Sequence, residues 1–242
     1  MPSTQLHVEL LASTPGQQEL IATAARLCYS KSNIDSLMQK TSAQDQQSFL
    51  EKIMSSGHLS VFEHASFTFG IEGVSRVLLA QLTRHRIASF SVQSQRYVSY
   101  AETFNYIIPP NIKALGEEAV GEYERQMSQM HAWYQVWQQL LDKGESGNED
   151  ARFVLPGACE TRLIMTMNAR ELLHFFALRC CNRAQWEIRE LATQMLRLCK
   201  DTAPALFEEA GPGCVSGACP EGSKTCGQQA QVRARFRDLQ GK

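Results

Sequence analysis

Between Gln81 and Tyr97 the sequence reads Gln-Leu-Thr-Arg-His-Arg-Ile-Ala-Ser-Phe-Ser-Val-Gln-Ser-Gln-Arg-Tyr, and no other stretch concentrates so much chemistry. Arg84, His85 and Arg86 are consecutive, so a strand would send His85 opposite the two arginines and a helix would fan them through about 200°. At least one of the three must point inward. An inward guanidinium needs an anion, an array of carbonyls or an aromatic face to offset its lost hydration. A structural turn paired with the chain's own carboxylates would meet that need. So would an oxyanion-binding loop, and Ser89, Ser91, Ser94 and Arg96 add hydroxyl donors and another cation at the density such a loop requires.

Composition limits what the anion can be. A formal net charge of −1 over 242 residues gives no broad basic field for a nucleic-acid backbone, so the expected ligand is a small anion and no nucleic acid is expected as partner. Arginine supplies 16 of the 24 basic residues, and arginine suits planar, bidentate recognition of phosphate and carboxylate. An apolar fraction of 43% with 20% charged residues fits a soluble globular chain. No run is long enough for a membrane span, and Met-Pro-Ser-Thr-Gln lacks a signal-peptide layout, so a cytoplasmic protein with free or metal-bound thiols is expected. There is no Gly-x-Gly-x-x-Gly, no Gly-Lys-Ser/Thr phosphate loop, no His-Glu-x-x-His and no Pro-Cys-x-x-Cys pair, which sets aside several nucleotide and zinc enzymes.

The elements that would hold the stretch in place follow from periodicity. Leu6 to Leu11 reads as an opening strand, and a helix starts at Pro15 and reaches Leu27. A second helix spans about Ala43 to Ser55, stopped by Gly57. Ala65, Phe67, Phe69 and Ile71 alternate with polar residues as a half-buried strand, and after Gly73 the spacing of Val74, Val77, Leu78 and Leu82 turns helical, delivering Gln81 and Arg84 at its end. Tyr97 to Ile108 is extended, about Gly116 to Lys143 is a long helix, and Gly144 to Asn148 is a flexible break. Arg152, Phe153 and Leu155 form a helix before Pro156. Leu163, Met165 and Met167 mark a second strand, followed by helices at Glu171 to Cys181 and about Ala184 to Cys199. This order predicts one α+β domain, a twisted sheet flanked by helices, over residues 1–208, with 209–242 as a cysteine- and glycine-rich tail.

The Arg84-His85-Arg86 triplet, seven residues and then Ser94 resembles the Arg-His-Arg-(seven)-Ser motif of the flavin-dependent thymidylate synthases. Gln81 before it and Arg96-Tyr97 after it fit the same pattern. Gly57-His58 through Phe62-Glu63-His64, Arg152 with Val154-Leu155-Pro156, Asn168-Ala169-Arg170, Leu178-Arg179 and Ala184-Gln185-Trp186-Glu187 are also similar, in order, across roughly residues 20 to 205. The resemblance implies reductive methylation of dUMP to dTMP, with methylenetetrahydrofolate as one-carbon donor, NADPH as reductant and FAD as bound cofactor. It implies a homotetramer whose active sites draw on several chains. It places Gln81, Arg84, Ser94, Arg96, Arg152 and Arg179 at the nucleotide, Arg179 beside the uracil ring as the catalytic cation. It places His58, Glu63, Arg84, His85, Arg86, Asn168, Arg170 and His174 at FAD.

The family uses no enzyme cysteine to attack the base. Ser94 is not expected to take that part, because no neighbouring base is evident in the sequence to activate it. Val92 stands where relatives can carry a carboxylate near the nucleotide, and His174 stands where an amide side chain often meets the flavin. His64 and His131 read as surface or packing residues, Arg162 as a structural ion pair, and Cys180-Cys181 as core thiols. Cys214, Cys219 and Cys226 fall within thirteen residues at spacings of no common zinc motif, so no metal site is assigned, and zinc binding with a fourth ligand and a mobile, redox-sensitive lid both stay open. The competing function is a non-catalytic phosphate- or nucleotide-binding module.

Overall fold

Strict alternation of apolar and polar side chains predicts a strand buried on one face, and Phe67, Phe69 and Ile71 are indeed within 1% of complete burial. The computed structural model describes residues 3–141 and 144–239. In chain order its elements are β1 (His7–Ser13), α1 (Gln17–Leu27), α2 (Ile34–Ser42), α3 (Gln47–Ser55), a 3₁₀ turn at Leu59–His64, β2 (Ser66–Ser75), α4 (Arg76–Leu82), β3 (Ala88–Val92), α5 (Pro110–Ala114), α6 (Glu117–Leu140), α7 (Glu145–Ala151), a 3₁₀ turn at Arg152–Val154, β4 (Glu160–Asn168), α8 (Ala169–Arg179), α9 (Trp186–Thr202), α10 (Pro204–Phe207), a 3₁₀ turn at Gly222–Lys224 and α11 (Gln229–Arg237). The architecture is α+β, with one antiparallel sheet in the order β1-β2-β4-β3 flanked by helices. Two compact units share it: Met1–His7, Gly70–Arg84 and Phe90–Ile164 in the first, Val8–Phe69, His85–Ser89 and Met165–Lys242 in the second.

In the first unit, Phe104, Tyr106, Ile108, Met127 and Cys159 form the core, with Tyr123 and Met130 of α6 packed on it. Trp137, on the same helix, is 46% exposed. Phe153, expected on a helix, sits on a 3₁₀ turn and is 82% exposed. Gly144 to Asn148, expected as a break, instead opens α7, and Asn148 is buried, bonded to the Tyr134 hydroxyl and the Arg96 carbonyl. β2 runs on through Gly73 to Ser75 because that glycine adopts φ +69° against the segment just before β1, where a Cβ would stand 1.9 Å from the Gln5 carbonyl oxygen.

In the second unit, Phe207 of α10 joins β2 to α8. Phe207 packs edge-on to Phe67 at 5.3 Å and to Phe176 at 6.0 Å. Asn33 caps α2 by accepting the Ser36 N–H, a helix not expected from the sequence, and α3 follows separately. Asn168 caps α8 through the Glu171 N–H, and Gln185 caps α9 through two N–H groups, those of Glu187 and Ile188. The tail is anchored here by α11: Phe236 is fully buried, and the Lys200 ammonium donates to the carbonyls of Glu208 and Phe236 at 2.8 and 2.5 Å. Among the described residues no helix is long and apolar enough to cross a membrane.

Candidate active site

Two of the nucleotide-assigned residues of the first unit, Arg96 and Arg152, converge on α7. Arg96, in the loop after β3, pairs with Glu145 at 2.7 Å and Glu149 at 3.1 Å, and Arg152 donates from Nε to the Glu149 carbonyl at 3.0 Å. The loop bearing Arg96 is held from behind by Arg76, whose guanidinium donates to Thr161 Oγ1 and Gln95 Oε1, both at 3.1 Å, and to the Gln93 carbonyl. A cavity of about 520 Å³ opens beside it, lined by Tyr97, Ser99, Gln135, Gln138, Glu145 and Asn148 among others. Ser94 accepts the Arg96 N–H at 3.1 Å, which shapes the turn, and no base approaches its hydroxyl among the described residues. Gln81 lies on α4 and Arg84 is exposed just beyond it; no side-chain bond joins either to Arg96 or Arg152.

In the second unit, four of the eight flavin-assigned residues line one cavity. Glu63, Asn168, Arg170 and His174 line a cavity of about 580 Å³ whose walls include Leu59 and Ile87. Arg170 is ion-paired with Glu63, which fixes its guanidinium at the rim. His58 precedes the 3₁₀ turn and Arg86 is exposed on its loop, and neither is bonded to that group.

Behind the cavity, buried His85 joins two residues of α8. Its Nδ1 lies 3.1 Å from Glu171 Oε1, and Arg179 Nε donates to its Nε2 at 3.0 Å, while the Phe175 ring packs edge-on at 4.9 Å. An arginine N–H only donates, so Nε2 must be bare and the ring neutral, with its proton on Nδ1. Burial pushes the His85 pKa below its ordinary 6.5; the hydrogen bond to Glu171 opposes that shift, and the Arg179 charge adds to it. A folded-state pKa below the unfolded one means the unfolded chain takes up this proton first. The stability this site contributes is therefore present above pH 6.5 and lost as pH falls through the folded value. Thermal melting against pH should show that acid loss in the wild type and a smaller one in His85→Asn.

Glu145, Glu149, Glu171 and Arg76 were not expected at either site. Glu171 had a visible but misleading signal: Asn168-x-x-Glu171 reads as a helix cap, which it also is. Cys180 is a core thiol pushed up to about 12 by burial, whereas Cys181 is partly exposed. His131 is buried as a packing residue, its Nε2 2.7 Å from the Tyr100 carbonyl. Arg162 faces Glu72 and Glu160 at 3.9 and 3.8 Å, an ion pair at the edge of contact. No group of three metal-capable side chains is assembled among the described residues.

α8 thus lines a cavity with Arg170 and His174 and carries Arg179 bonded to the buried imidazole of His85. Residues 9–205 match the model of the thymidylate synthase complementing protein family, and the chain belongs to that family. It is 54% identical to a flavin-dependent thymidylate synthase of Geobacter sulfurreducens over 97% of this chain and 99% of the relative. An enzyme of the same name from Clostridium tetani is 45% identical over 93% and 95%, and one from Sulfolobus acidocaldarius 38% identical over 87% and 78%.

Proposed function

We propose that this chain is a flavin-dependent thymidylate synthase, converting dUMP to dTMP with methylenetetrahydrofolate and NADPH as co-substrates and FAD as cofactor. Near full-length identity to enzymes of that name carries the reading, and relatives of matching length do not favour a non-catalytic nucleotide-binding module. A flavin dinucleotide needs apolar walls for its rings and donors for its pyrophosphate. Leu59, Ile87 and Leu173 supply the first; Arg170, His174 and the Asn168 amide supply the second, so the residues fit the group. When bound, FAD supplies hydride transfer between the nicotinamide and the one-carbon chemistry at the base.

The chain's own residues bind, orient and stabilise charge. Ser94, Arg96 and Arg152, with Gln81 and Arg84, take the nucleotide, and Arg179 faces the uracil ring, where a cation stabilises negative charge developing on the base. His58, Glu63, Arg84, Arg86, Asn168, Arg170 and His174 hold FAD, and His85 serves it from behind. Glu145 and Glu149 compete with a phosphate for Arg96. Glu145→Gln/Glu149→Gln is expected to tighten dUMP binding by up to about fivefold, the scale of an exposed ion pair, with the gain shrinking at high salt; calorimetric titration checks it.

The working form is a cytoplasmic homotetramer. Trp133, Val136, Trp137 and Leu140 lie along one face of α6 and are each at least 46% exposed, the kind of apolar stripe that a second chain covers. Light scattering should return about four times 27.1 kDa. The deciding experiment is dTMP formation from dUMP, methylenetetrahydrofolate, NADPH and FAD, with single omissions. Formation that persists without FAD in a flavin-free preparation rules the reading out.

A further inference from the structure

We propose that Glu171 is a positioning residue for Arg179, acting through His85 as a fixed-tautomer relay. The inference rests on the reading that Arg179 serves the uracil ring. Glu171 lies in the first turn of α8 and Arg179 in the last, about 12 Å apart along the axis at 1.5 Å per residue. The imidazole of His85 fills that gap, bonded to Glu171 at one nitrogen and accepting Arg179 Nε–H at the other.

Three features make the arrangement directional. Glu171 and His85 are 8% and 6% exposed, so water cannot readily substitute for either partner. The Phe175 edge at 4.9 Å holds the plane of the ring. The carboxylate can only accept, so it draws the ring proton to Nδ1 and leaves Nε2 bare towards Arg179. A histidine without that carboxylate is free to carry its proton on Nε2 instead. That N–H would then face the Arg179 N–H, two donors with no acceptor between them, and the Nε–H bond that sets the guanidinium against the ring would be lost. The charged and titratable groups facing the ring, Glu171, Arg179 and His174, all belong to α8, so the relay is internal to one helix and the loop that crosses it.

The test reads the tautomer first and the rate second. In FAD-loaded wild type with 15N-labelled histidine, His85 should show a protonated Nδ1 and a bare Nε2 at neutral pH. Glu171→Gln, nearly the same shape but able to donate as well as accept, should shift His85 towards the Nε2-protonated form. It should also lower kcat for dTMP formation by about 10- to 100-fold, with the KM for dUMP changed much less, the scale seen when a partner that orients a working group is removed. A wild-type His85 protonated on Nε2, or on both nitrogens, overturns the proposal without any variant. So does Glu171→Gln with an unchanged tautomer and an unchanged kcat. Arg179→Lys separates the two layers: full activity in that variant sinks the assignment of Arg179 to the base, while a tautomer shift in Glu171→Gln would still establish the relay.

Discussion

Arg179→Ala should lower kcat for dTMP formation by about 10²–10³-fold, the effect of removing one preorganised donor aimed at developing charge. Uracil is neutral in the bound substrate and gains negative charge only as the reaction proceeds, so on the proposed assignment the guanidinium would act mainly on the transition state. The Kd of the holoenzyme for dUMP should therefore change far less than the rate. Arg179→Lys keeps the charge but loses the planar fork and the Nε–H that meets His85, so it should recover only part of the loss. Steady-state kinetics and dUMP titration of the same preparations check both. If Kd rises as much as the rate falls and kcat is unchanged, Arg179 binds without activating, and its place at the ring is wrong.

How much of this was legible depended on whether the partners were local in sequence. Alternation at Ala65 to Glu72 located β2, and the apolar spacing of Leu172, Leu173 and Phe176 located α8. Gly73 was read as a stop, because a glycine that ends a strand and a glycine squeezed against a neighbouring backbone look the same in sequence. β3 (Ala88–Val92) was hidden by its serines, whose types suggested a loop. α2 carries a usable signal, Asn33 followed by Leu37 and Thr41 on one face. At the site, arginines stood out by type, since an inward guanidinium always needs an account. Their carboxylates did not: His85 and Glu171 are 86 residues apart, and Arg96 and Glu145 are 49 apart. Single-sequence reading thus finds the charged groups that need partners more readily than the partners.

The largest stability effect is expected at Phe207. It is fully buried and ends α10, a helix of four residues too short to stand without tertiary packing. Its ring meets Phe67 of β2 and Phe176 of α8, so truncation to alanine leaves a cavity shared by sheet and helix and should cost about 3–5 kcal/mol. Denaturant unfolding should show a lower midpoint with an unchanged slope, and Phe207→Leu, which keeps more of the volume, should lose clearly less. The functional consequence is separable, because α8 also carries Arg170, His174 and Arg179. If Phe176 and Phe207 fix the height of α8 over the sheet, Phe207→Ala assayed well below its melting point should still show reduced kcat, since a small displacement of a working group is costly. Wild-type kcat in the fully folded variant would instead mean that Phe207 only stabilises, and that α8 is held in place by its Asn168 cap and by the bond from the Ala169 N–H to the Ala65 carbonyl at 2.8 Å.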